Sequence, residues 1–175
     1  MDTLNRSVRG RASKANGEFF ESMILDASHF YETKNIAVIH KTPEPMHILK
    51  PCDRKKGTFI ACFAKQAQPD FKGILADSSM VLFDAKHTDA GKITRAAVTE
   101  EQESCFERYM RMGAKCFVVI SLGFEHYFRV PWNVFRDMKE LFGHKYMNLE
   151  ELSPYEIKHE GGVLRFLDGL ELKEG

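Results

Sequence analysis

Three side chains in one stretch of this sequence are of the right types to act together on a phosphate: Asp70, Asp84 and Lys86. Asp70 follows Pro69 and opens the run Asp70-Phe-Lys-Gly-Ile-Leu-Ala76, while Asp84 and Lys86 close the run Met80-Val-Leu-Phe-Asp84-Ala-Lys86. Two carboxylates supply hard oxygen ligands of the kind that Mg²⁺ takes. Side chains alternate along a strand, so a lysine two residues after an aspartate points to the same face. That sets an ammonium beside a metal-activated water and a phosphate, an arrangement suited to metal-assisted phosphodiester hydrolysis.

The elements that must hold these groups are readable around them. Residues 1–15 are polar and basic and read as a flexible arm. Asn16 and Gly17 open a helix, with Phe20, Met23, Ile24, Ala27 and Tyr31 at three-to-four spacing. Ile36-Ala-Val-Ile39 is a short apolar strand, ended by Thr42-Pro-Glu-Pro45. Residues 46–58, with the run Asp53-Arg-Lys-Lys56-Gly57, read as a protruding basic loop or hairpin, and Thr58–Phe63 as its returning strand. The hairpin 70–86 turns at Asp77-Ser-Ser79, and His87–Thr94 reads as a loop. A helix follows over Thr99–Met112, with Thr99 as cap, Gln102 at the capping-box position and Gly113 at its end. Lys115–Ile120 is a buried strand, Phe124–Val130 its hairpin partner, and Pro131 starts a helix reaching Phe142. Residues 148–175 form an acidic tail expected to pack on or near the domain, which spans 16–147. The order of elements predicts a single α/β domain with a mixed sheet flanked by helices.

The 175 residues are about one domain's worth, and 43% hydrophobic content suits a globular protein. No apolar run approaches the ~18 residues that span a membrane. The N-terminus has no apolar signal core, which favours the cytoplasm. Cys52, Cys62, Cys105 and Cys116 form no CxxC pair, so free thiols are expected. Net charge is zero, but its distribution is uneven. Residues 1–16 hold Arg6, Arg9, Arg11 and Lys14 against Asp2; residues 34–72 hold eight bases against three acids; residues 149–175 hold seven acids against three bases. Basic charge thus gathers around the suspected site, as binding of an anionic polymer requires.

The tripeptide alone carries little weight. Asp/Glu-x-Lys occurs seven times in this chain, starting at Glu32, Asp53, Asp70, Asp84, Asp137, Glu156 and Glu171. Most of these are ordinary solvated pairs. The one at Asp84 differs because it ends an apolar strand, where an acid and a lysine are costly to bury unless paired or metal-bound. Glu21 on the first helix and Gln102 on the later one are placed to reach such a site; their ordinary readings are a solvated face and a helix cap. The histidines show no metal-ligand spacing and read as structural. Phe124-Glu-His-Tyr-Phe128 reads as a strand with one apolar face, and Met110 and Met112 as core.

Several stretches together resemble one family, the RecU-type Holliday junction resolvases of the PD-(D/E)xK nuclease superfamily. They are Ile36-Ala-Val-Ile-His-Lys-Thr-Pro-Glu-Pro45, Phe63-Ala-Lys-Gln66, Asp70-Phe-Lys-Gly73, Phe83-Asp-Ala-Lys-His-Thr88, Glu101-Gln102 and Cys116-Phe-Val-Val-Ile-Ser121. The resemblance implies a restriction-endonuclease-like fold with a protruding stalk at about residues 42–63. It implies a homodimer that binds four-way DNA junctions and nicks two opposed strands with Mg²⁺ or Mn²⁺, and a possible recombinase partner. Asp70, Asp84, Lys86 and Glu21 would be catalytic, with Asp70, Asp84, Gln102 and Gln68 around the metal. Arg6, Arg9 and Arg11 of the arm and Lys50, Arg54, Lys55 and Lys56 of the stalk would face DNA. The family carries glutamate where this chain has Asp84 and threonine where it has Gln68, and the short, divergent arm suggests a phage or otherwise diverged member. Another endonuclease of the superfamily, or a junction-binding module without catalysis, remains open as a reading.

Overall fold

Side chains on the central strands divide between two cores, and that division places the suspected site. The computed structural model describes residues 2–43, 45–63 and 68–170, with only the backbone for residues 2–9 and 63. Helix α1 (Asp2–Thr33) leads into β1 (Ala37–Lys41), then a hairpin of β2 (Met46–Asp53) and β3 (Thr58–Phe63). Next come β4 (Phe71–Leu75), β5 (Met80–Thr88), β6 (Lys92–Thr94), α2 (Glu100–Arg111), β7 (Lys115–Leu122) and β8 (His126–Pro131). Short helices α3 (Trp132–Arg136) and α4 (Met138–Phe142), β9 (Tyr146–Asn148), α5 (Leu149–Leu152), β10 (His159–Glu160) and β11 (Val163–Leu164) complete the fold.

Five strands form one sheet in the order β1-β4-β5-β7-β8. Only β5 and β7 run parallel; the other pairs are antiparallel. A parallel pair needs a crossover, and α2 supplies it. Phe71, Val81, Phe83, Phe117 and Val119 face α1, where Phe20, Ile24, Ala27 and Tyr31 are buried. Leu82, Val118 and Ile120 face the other way, against Phe106 of α2 and Trp132 of α3. This is the mixed α/β sheet flanked by helices that the sequence predicts.

The acidic C-terminal segment is packed rather than loose. Phe166 and Leu167 are buried against α1, Tyr31 Oη donates to Asp168 Oδ1 at 3.0 Å, and Arg129 Nη1 donates to the Phe166 and Asp168 carbonyls. The hairpin β2/β3 forms a separate two-stranded sheet, as expected of a stalk.

Four details differ from the sequence reading. Residues 2–15 are not an irregular arm but the first half of α1, which continues through Asn16. Gly10 and Gly17 each cost about 1 kcal/mol in a helix, too little to break one, and no proline precedes position 43. The 87–94 segment is not all loop: β5 runs to Thr88 and β6 pairs with β9. The helix after Pro131 breaks at Asp137, which Arg136 grips with bonds of 2.7 and 2.8 Å. Met110 packs on the core, but Met112, at the helix exit before Gly113, is 87% exposed. Among the described residues, no helix is long and apolar enough to cross a membrane, and all four cysteines are free.

Candidate active site

The register of β4 on β5 brings the two aspartates together. Phe71 lies opposite Phe83, so Asp70 and Asp84, each one residue further, face each other across the pair. Phe71, Phe83 and Phe117 stack in series behind them, with centroids 5.1 and 4.9 Å apart, and hold that register. The backbone then cross-links the carboxylates. Asp70 N–H donates to Asp84 Oδ1 at 3.2 Å, and Ala85 N–H donates to Asp70 Oδ2 at 3.1 Å. Asp84 is fully buried.

Lys86 follows on the same face of β5 and forms an ion pair with Asp84 Oδ2. Burial would lower its pKa, but the charges of Asp84 and Asp70 outweigh that and raise it, with a further contribution from Glu21. The amine therefore stays an ammonium. Glu21 itself reaches the site from α1 and pairs with Lys41 at 2.5 Å.

Gln102 lies where two demands on its amide meet. Its Oε1 accepts from Thr99 N–H at 3.1 Å in the capping box, and its Nε2 donates to Asp84 Oδ1 at 3.0 Å. Gln102 thus holds Asp84 through its Nε2 while its Oε1 serves the cap. Gln68 lies two residues before Asp70, at the surface. Its side chain is exposed and its Oε1 accepts from Lys72 Nζ at 3.5 Å.

Burial raises the Asp70 carboxyl to about 7, and the neighbouring Asp84 charge adds to the effect. Two acids held this close resist ionising together unless a cation joins them. Asp84 Oδ2 adds a second sign: it is buried and receives no hydrogen bond of good geometry, its cationic contact being the Lys86 ion pair. Two facing carboxylates, one of them fully buried, supply the hard oxygen ligands that suit a divalent cation keeping several waters, as Mg²⁺ does. Among the described residues no cluster of three or more His, Cys, Asp or Glu side chains could hold a metal.

Lys41 and Thr42 also belong to this site, although their types and spacing do not single them out in the sequence. Lys41 sits opposite Phe71 in β1, and Thr42 N–H donates to the Asp70 carbonyl at 2.7 Å. The signal for Lys41 is the alternation Ala37, Ile39, Lys41, which places it on the face of Glu21. The stalk cations are not brought to the carboxylates. Lys50 lies on β2; Arg54, Lys55 and Lys56 sit at the tip, where Asp53 Oδ1 accepts from the Lys55 and Lys56 N–H groups. All four are exposed, as is Arg11 on α1. The side chains of Arg6 and Arg9, and residues 64–66 of the Phe63–Gln66 motif, lie outside the described residues.

The sequence model of the family RecU, Recombination protein U, matches residues 15–172. The Holliday junction resolvase RecU of Streptococcus sanguinis is 29% identical over 123 residues, covering 67% of this chain and 61% of that protein. The Bacillus subtilis protein of the same name is 28% identical over 160 residues, covering 87% of this chain and 76% of that protein. The chain thus spans about three-fifths to three-quarters of the length of these relatives. A solved structure of Hjc, a Holliday junction resolvase from Archaeoglobus fulgidus, superposes with a TM-score of 0.49 at 9% identity, over 79% of this chain and 90% of that one. The match to the family model runs from just before the core-packed part of α1, through the aspartate pair, to the packed C-terminal segment, and on that ground the chain belongs to the RecU family.

Proposed function

We propose that this chain is a metal-dependent endodeoxyribonuclease that resolves four-way DNA junctions by paired nicks. The observation that carries the reading is the buried Asp70–Asp84 pair with Lys86 on the same face, in a chain of the RecU family. Asp70 and Asp84 would hold Mg²⁺ or Mn²⁺. When bound, such an ion acidifies a water and polarises a phosphate oxygen. Lys86 supplies a fixed positive charge for the extra negative charge that builds on the phosphorus oxygens as the water oxygen adds and the ester bond breaks. Gln102 holds Asp84 at its orientation, and Glu21, tied to Lys41, adds to the field that keeps Lys86 charged.

One chain presents one such carboxylate pair among its described residues, so two opposed nicks call for two copies. A homodimer is the simplest arrangement that provides them. The stalk favours branched over linear DNA: an exposed hairpin with a basic tip reads shape through phosphates, not base sequence. Neutralising Arg54, Lys55 and Lys56 together should weaken junction binding about tenfold or more at low salt and flatten the salt dependence, since each lost phosphate contact removes roughly one unit of slope. Linear duplex binding should change less. A filter-binding titration of both DNAs checks this, and equal losses on both would remove the stalk from junction choice.

Gln102→Ala should reduce cleavage by about 10–100-fold, the usual loss when a residue that orients a metal ligand is removed. The metal concentration for half-maximal rate should rise with it. Cleavage rates across a Mg²⁺ series test this; an unchanged metal dependence would leave Gln102 as a helix cap alone.

The test of the function as a whole is cleavage of a synthetic four-way junction beside linear duplex of the same sequence, with Mg²⁺ and with EDTA. Equal cutting of both DNAs would point to another endonuclease of the superfamily, and binding without cutting to a junction-binding module.

A further inference from the structure

A group of side chains behind the catalytic strand takes no part in the chemistry above. His87 follows Lys86 but points to the opposite face of β5, and its side chain is 3% exposed. Its Nδ1 lies 3.1 Å from Ser121 Oγ and its Nε2 3.0 Å from Asp89 Oδ1. A carboxylate only accepts, so Nε2 carries a proton, and in the neutral ring the Ser121 hydroxyl donates to Nδ1. Phe124 stacks on the ring at 4.0 Å. Phe124 is held at φ +60°, a conformation that a bulky side chain adopts only when its surroundings enforce it.

Helix α1 docks on this group over one turn. Asn16 Nδ2 donates to Asp89 Oδ2 at 3.3 Å, Phe19 meets Phe124 edge-on at 5.3 Å, and Phe20 lies 6.5 Å from His87. The side chains of residues 10–15 are exposed, Arg11 and Lys14 among them. Asn16 therefore ties α1 to the sheet at the point where the basic half of the helix begins. That half spans about 20 Å, so a tilt of about 10° at Asn16 shifts its far end by about 3–4 Å. A shift of that size is enough to make or break a phosphate contact.

We propose that Asn16, Asp89 and His87 form a latch that fixes the direction of the basic half of α1 relative to the strand carrying Asp84 and Lys86. Asn16 and Asp89 are then positioning residues for the DNA contacts of Arg11 and Lys14. The latch rests on the reading of the chain as a junction-binding nuclease, and it adds the link between the α1 cations and the catalytic strand. Asp89 is largely exposed and Asn16 lies at the margin of the packed surface, so both can be changed without opening the core.

The experiment is a double-mutant cycle on junction binding, with Ca²⁺ in place of Mg²⁺ to prevent cutting. Asn16→Ala and Asp89→Ala should each weaken binding about fivefold and lower the slope of log affinity against log salt by about one to two, as expected when one or two phosphate contacts are lost. The cleavage rate with Mg²⁺ and saturating protein should stay within about twofold of the parent, because the aspartate pair is untouched. His87→Phe keeps the ring stack and loses both polar contacts, and should reproduce the Asp89→Ala effect. Arg11→Ala with Lys14→Ala should weaken binding in the parent and add almost nothing once the latch is broken. If the two sets of losses simply add, or if the salt slope does not move, the latch is wrong and these residues only stabilise the fold. A parent protein that does not bind the junction overturns the functional reading itself, a result distinct from additivity in a parent that binds.

Discussion

Lys86→Ala should lower the cleavage rate of a four-way junction at saturating protein by about 10²–10³, the loss expected when one preorganised charge-stabilising group is removed from a reacting centre. Junction binding should stay within about threefold, because the ammonium is paired with Asp84 and would be one cation among many facing DNA. The physical basis is its environment. Burial opposes a charge on Lys86, yet Asp84 and Asp70 hold it charged. Removing it leaves Asp84 buried without its cation, a situation that destabilises proteins by about 3–5 kcal/mol when nothing compensates. Here Asp70, already raised to about 7, can take up a proton, so the melting temperature should fall less than that figure implies. Single-turnover cleavage with a parallel thermal melt separates the two effects. A rate within tenfold of the parent would remove Lys86 from the chemistry.

Asp70→Asn should abolish cleavage and yet stabilise the metal-free protein above neutral pH. The Asp70 carboxyl is raised to about 7 in the folded chain by burial and by Asp84, against about 3.8 ordinarily. Below pH 4 it is protonated in folded and unfolded chains alike and the shift has no effect. Between pH 4 and 7 the folded chain keeps a proton that the unfolded chain has lost, so stability falls as pH rises, and the loss is complete above 7. Its size is on the order of 4 kcal/mol. Asparagine keeps an oxygen for Ala85 N–H and adds an amide donor beside Asp84, without the second charge. Urea unfolding of the metal-free proteins at pH 5 and pH 8 should show the parent losing stability where the variant does not. Mg²⁺ at pH 8 should raise the melting temperature of the parent by binding the folded state, and leave the variant unmoved. A parent indifferent to both pH and Mg²⁺ would mean the pair is not a cation site.

The parts of this structure that follow from near neighbours in sequence are legible in the sequence itself. The 70–86 hairpin, the capped α2 and the buried strand Lys115–Leu122 each carry their own alternation or cap. So does the site's centre, because Pro69-Asp70 and Asp84-x-Lys86 lie on adjoining strands of one hairpin. What the sequence conceals depends on distant partners. Thr94 pairs with Tyr146, and no local pattern near residue 94 points there. Asp137 splits a helix because Arg136 folds back onto it, a preference that spacing does not express. Gln102 stands at the position its spacing suggests, but with the other end of its amide forward: a capping box and a buried carboxylate both claim that amide, and only the fold shows which atom goes to which. The stalk is readable as a basic hairpin from its prolines, Gly57 and lysines. That Met46, Ile48, Leu49 and Phe59 stand exposed on it is not, since alternation there predicts a buried face.

The most direct measurement is cleavage of a synthetic four-way junction, with Mg²⁺ and with EDTA, by the parent and by Asp70→Asn. The account predicts paired nicks on opposed strands by the parent with Mg²⁺ alone, little cutting of matched linear duplex, and none by the variant. Cutting in EDTA, or equal cutting by Asp70→Asn, would contradict it.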